Sequence, residues 1–148
     1  MATMNSFVSA PAATDINRLP CVFRRALLAR HAVCECAARD GARGTLVCTQ
    51  PLARASCGEL QALLRDKSAF ALGMTDTRRA IAPAKLLKIQ SGGLNGLRDL
   101  LDPGAIAPSV HRLVRLATEH HGDLAALPFV EIVKGIAAWT PKHQRTTV

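Results

Sequence analysis

The chain has 148 residues, a length that suits one compact domain with a real buried core. Hydrophobic residues make up 49% and charged residues 20%, which excludes global disorder, and no stretch reaches the roughly 20 apolar residues that span a bilayer. A net charge of +8 and a pI near 10.0 permit a polyanionic partner, nucleic acid or an acidic protein, without requiring one.

Aromatic residues are 3% of the chain, with no Tyr and one Trp, so a core must be built from Ala, Leu, Val and Ile, a helix-favouring mixture. The composition and periodicity predict a mainly α fold: a single helical domain of about five helices with at most two short strands.

Residues 1–19 are rich in Ala, Ser and Thr and read as a flexible N-terminal arm. They lack a basic leader followed by an apolar run, so a secretory signal is not expected and a cytoplasmic location is. The helical domain is placed at 20–141, and residues 142–148, with Lys142, His143 and Arg145, form a basic tail.

Pro20 suits the opening of a helix. From Val22 to Ala38 the apolar residues Val22, Phe23, Ala26, Val33, Cys34 and Ala37 fall at helical spacing, and Asp40-Gly41 ends the element. Thr45-Leu46-Val47-Cys48-Thr49 is short and partly β-branched, which predicts a strand or extended link. Ser56 and Glu59 have capping-box spacing for a helix reaching about Leu72, with a start nearer Pro51 as the competing boundary. Residues 85–90 read as a second strand, followed by a sharp bend at Ser91-Gly92-Gly93. Leu94, Leu97 and Leu101 predict a short helix stopped by Asp102-Pro103-Gly104. Ser109 caps the next helix, which Gly122-Asp123 breaks, and the last helix starts near Pro128 and ends at Thr140-Pro141.

The distinctive chemistry lies between residues 21 and 57, which hold all five cysteines: Cys21, Cys34, Cys36, Cys48 and Cys57. In a reducing compartment clustered cysteines are metal ligands, redox groups or buried thiols more often than disulfides, and an odd number leaves one unpaired. The proposed ligand set for a metal or cofactor is Cys21, Cys34, Cys48 and Cys57, with Cys36 as substitute or bystander. Zinc and iron–sulfur clusters both favour four such ligands. No C-x-x-C knuckle and no ferredoxin run is present. Widely spaced ligands on different elements then favour an iron–sulfur cluster of the 4Fe-4S type, with zinc or no metal as the alternatives. Such a protein would be non-catalytic, serving electron transfer, sensing or structure, since no catalytic constellation is identifiable.

Two physical conditions attach to that set. If residues 21–34 were one straight helix, Cys21 and Cys34 would stand roughly 20 Å apart, so the helix must start late or break, or His31 must replace Cys21. Cys34 and Cys36 diverge if both are helical, so a joint chelate needs a non-helical backbone. At the capped start of its helix, Cys57 would be favoured as a thiolate.

The competing reading is a basic adaptor domain for nucleic acid or an acidic protein, in which the cysteines pack as small hydrophobes. Glu119, His120 and His121 sit at a helix end and read as exposed caps, and the glycine-rich run 91–96 matches no phosphate-binding pattern.

Overall fold

The computed structural model describes residues 19–41, 44–74 and 79–141; the arm (but for Leu19) and the tail inferred from sequence lie outside them. The described residues are mainly α-helical, with five helices and one antiparallel pair of strands. In chain order these are α1 (Arg24–Leu28), β1 (Ala37–Asp40), β2 (Thr45–Cys48), α2 (Pro51–Ser68), α3 (Pro83–Leu101), α4 (Val110–His121), a 3-10 turn at Leu124–Ala126, and α5 (Phe129–Ala138). No described helix is long and apolar enough to cross a membrane.

α3 is the axis of the fold, packing against α1, α2, α4 and α5. Its middle residues Ile89, Gln90, Ser91, Gly92, Gly93 and Leu94 are all buried, so it has no solvated face there. The strand expected at 85–90 and the bend at 91–93 are therefore corrected to a single helix that opens on Pro83. Glycine in a helix interior costs up to about 1 kcal/mol relative to alanine, but here close packing requires it. A Cβ on Gly92 would lie 2.8 Å from the Ile136 Cα of α5, and one on Gly93 would lie 2.8 Å from Leu64 Cδ1 of α2. The glycines bring helices together; they do not cradle a ligand.

α2 starts at Pro51, the competing boundary, because proline at the first helical position loses no hydrogen bond. Its buried residues Cys57, Leu60, Leu64 and Ser68 form one helical stripe. α4 buries Val110, Leu113, Val114 and Ala117, and α5 buries Phe129, Ile132 and Ile136, as their periodicity predicts.

The helix expected over residues 22–38 is the largest correction. It stops after Leu28 in a Schellman-type closure, with the Arg30 N–H donating to the Leu27 carbonyl (3.0 Å) and the His31 N–H to the Ala26 carbonyl (2.9 Å). Arg30 takes the left-handed conformation there (φ 65°), a position usually given to glycine, so the sequence carries no stop signal. The chain then runs back across the fold. Val33 N–H donates to the Pro108 carbonyl (2.9 Å) and Val110 N–H to the Val33 carbonyl (2.8 Å), tying this segment to the start of α4. Tertiary pairing wins over local periodicity.

Gln90 fixes the other end of α1. Its Oε1 accepts from the Ala26 N–H (3.1 Å) and its Nε2 donates to the Val22 carbonyl (2.9 Å), so a buried side chain of α3 caps a helix that has no side-chain cap of its own. Two of the basic residues also have local duties: Lys85 donates to the Leu72 carbonyl (3.1 Å) in the turn after α2, and Lys88 to the Trp139 carbonyl at the end of α5.

Candidate metal centre

The five cysteines reach one place from separate pieces of chain. Cys48 ends β2, which pairs on one side with β1 (Ala37 opposite Cys48) and on the other with the segment before α1. On that second side the Cys21 N–H donates to the Leu46 carbonyl (3.1 Å) and the Cys48 N–H to the Leu19 carbonyl (3.0 Å). Three adjacent extended segments thus carry Cys21, Cys48 and, just before β1, Cys36. Thr49 holds Cys36 by donating both its N–H (2.8 Å) and its hydroxyl (2.9 Å) to the Cys36 carbonyl. Cys34 follows the Val33 tie to α4, and the Ala37 N–H turns back to the Cys34 carbonyl (3.2 Å). Cys57 comes from the second turn of α2, and Arg54 of the same helix donates from Nε to the Pro20 carbonyl (2.8 Å).

All five line one enclosed cavity of about 10 Å³, together with Val22, Ala37, Ala53, Arg54, Val110 and His111. Four of them are buried, Cys34 is half-buried, and none forms a disulfide. The helix break after Leu28 is what lets Cys21 and Cys34 approach. The extended and turn backbone of residues 32–36 likewise lets Cys34 and Cys36 face each other, as the condition on a joint chelate required.

The electrostatics follow from this crowding. Burial, then the neighbouring Cys34, Cys21, Cys48 and Cys36, push the Cys57 thiol up to about 12. Burial, then Cys34, Cys48 and Glu35, push Cys36 up to about 11. Cys21 is also raised, by burial first and by Cys34 and Cys48, against a lowering hydrogen bond from the Phe23 backbone. The expected thiolate-favouring position of Cys57 is therefore corrected: it lies inside α2 rather than at its start, away from the free N–H groups. Without a metal its proton is held tightly, and a bound cation would have to displace it.

Cys36 also lines a wide cleft of about 570 Å³ with Glu35, Thr49, Ser56, His111, Arg115 and others. There the Cys36 sulfur, a Glu35 carboxylate oxygen and a His111 ring nitrogen all lie within 4.8 Å of one another. His111 Nδ1 and Glu35 Oε2 are 3.1 Å apart. Among the described residues this is the one group of three or more such ligand atoms that close together; no three cysteine sulfurs are. The cysteines and this trio are compatible with metal binding.

His31, considered as a substitute for Cys21, is elsewhere: its Nδ1 is 2.8 Å from Ser91 Oγ and its ring stands edge-on to Trp139. His120 and His121 are exposed at the end of α4, and Glu119 pairs with Arg115 (3.8 Å). Sequence reasoning missed Glu35 and His111 as a pair, because they are 76 residues apart and no pattern links them. The chain matches no protein-family model, and no curated protein or solved structure is significantly similar to it.

Proposed function

We propose that this is a non-catalytic thiolate-metal protein that holds an iron–sulfur cluster on Cys21, Cys34, Cys48 and Cys57. The observation that carries the reading is the gathering of five free thiols, from separate segments of chain, around one enclosed cavity. A buried cysteine packs as a small hydrophobe anywhere in a core, so packing alone supplies no reason to collect all five at one point. A metal centre does, because thiolates are its ligands and several must converge.

The spread of the sulfurs favours a cluster over a single ion. Zinc holds sulfur at about 2.3 Å, so tetrahedral thiolates stand about 3.8 Å apart. No three cysteine sulfurs among the described residues lie within 4.8 Å of one another. A cluster keeps its protein sulfurs further apart, because iron and sulfide stand between them. The size of the cavity favours the second reading, a single zinc ion. At about 10 Å³ it has the room of roughly one water molecule.

Anaerobic purification followed by iron, zinc and acid-labile sulfide analysis separates the two. The cluster predicts about four iron and four sulfide per chain, a visible absorption band, and loss of both in Cys57→Ser. One zinc per chain with no sulfide selects the second reading. Protein that binds neither, even after reconstitution with iron and sulfide, overturns both.

A further inference from the structure

We propose that Glu35, Cys36 and His111 form a second metal site at the mouth of the cysteine cavity, taking a single zinc-class divalent ion with one coordination position open to the cleft. The ligand atoms come from three donor types that such an ion accepts together: a carboxylate oxygen, an imidazole nitrogen and a thiolate sulfur. Zinc holds oxygen and nitrogen at about 2.0–2.2 Å and sulfur at about 2.3 Å, so neighbouring ligand atoms of a tetrahedral site stand about 3.3–3.8 Å apart. The observed His111–Glu35 separation of 3.1 Å and the 4.8 Å limit on all three atoms need only small side-chain movement to reach those edges.

Backbone anchoring makes the trio more than a surface ion pair. The Cys36 carbonyl takes two hydrogen bonds from Thr49, and the paired β-strand begins at the next residue. His111 sits in the first turn of α4, immediately after the residue bonded to Val33. Cys36 and His111, far apart in sequence, are thus held by one short tie. Glu35 is exposed and His111 half-buried, so the fourth position of a bound ion faces the 570 Å³ cleft, where water or a small anion can occupy it. Three protein ligands and one open position distinguish this site from a closed structural one.

The spare cysteine also finds a use here. A four-thiolate centre on Cys21, Cys34, Cys48 and Cys57 leaves Cys36 over, and Cys36 is the cysteine that lines both the enclosed cavity and the open cleft. The second site does not depend on the first.

The test is equilibrium loading of the full metal-free chain with cobalt(II) and, in parallel, zinc(II), counting tightly bound ions per chain. Glu35→Gln and His111→Ala should each lose one ion per chain while keeping the wild-type circular dichroism. Cys57→Ser should keep that ion and lose the other. If the cysteine centre takes no single ion, wild type binds one ion and His111→Ala none, and the second site stands. If His111→Ala and Glu35→Gln bind as wild type does, the second site is overturned. In cobalt(II) spectra the band lost in His111→Ala should include one thiolate charge-transfer contribution that Cys36→Ser also removes; its persistence in Cys36→Ser removes Cys36 from the site.

Discussion

Loading a metal onto the cysteine centre should release protons in a number the structure sets from below. Cys21 and Cys57 have thiols raised by burial first and then by neighbouring cysteines, Cys57 to about 12, so at neutral pH both carry protons in the metal-free chain. A metal binds the thiolate, so each of these ligands gives up one proton on binding. At least two protons should therefore appear per ion bound to this centre. The apparent affinity should rise at least about 100-fold per pH unit, equivalent to about 2.7 kcal/mol. Zinc(II) titrations of His111→Ala, in which the mouth site is disabled, isolate the cysteine centre. Proton release is read with a pH indicator in weak buffer, and affinity by competition with a chelator at pH 6.5 and 7.5 after correction for its own protonation. Adding Cys57→Ser should remove at least one proton from the count. Release of fewer than one proton per ion, or an affinity that rises less than tenfold over that pH unit, would refute the idea that buried protonated thiols are the ligands.

The same raised thiols make the metal-free chain sensitive to alkali. A group whose folded pKa lies above its unfolded value stabilises the fold fully below the unfolded value, about 9, and that contribution is lost as pH rises through the folded value. With Cys36 at about 11 and Cys57 at about 12, the urea midpoint should hold to about pH 8.5 and fall between pH 9 and 12, less steeply in Cys57→Ala. A midpoint of equal pH dependence in the two proteins would contradict this. Gln90→Leu should destabilise the fold by about 2–5 kcal/mol, because the buried Ala26 N–H is left unpaired and the half-buried Val22 carbonyl loses its donor. A loss under about 1 kcal/mol in urea unfolding would show that water or a shifted backbone replaces Gln90.

How much of this was legible in the sequence depends on whether local or distant contacts decide each element. α4 and α5 read clearly, since their apolar spacing agrees with Ser109, Gly122 and Pro128 at their ends. α3 did not, because the glycines that looked like a hinge are required where Gly92 meets the backbone of Ile136, a contact no short window contains. The break after Leu28 was hidden for a similar reason. Its left-handed residue is Arg30 rather than glycine, and the pairing of Val33 with Pro108 and Val110 comes from a segment far along the chain. The concentration of cysteines over residues 21–57 was visible, and so was the need for a non-helical backbone at Cys34 and Cys36. The Glu35–His111 pairing was not, because proximity across 76 residues leaves no local trace.

Gln90 also sets a timetable. It is synthesised well after Cys57, yet it fastens the stretch that begins just after Cys21. At about 5–20 residues per second, a nascent chain carries its complete complement of sulfurs for roughly 2–7 s before the side chain that ties down the start of the first helix exists. During that interval the start of the first helix lacks both of its hydrogen bonds to Gln90, so the segment after Cys21 is completed only once the third helix has emerged.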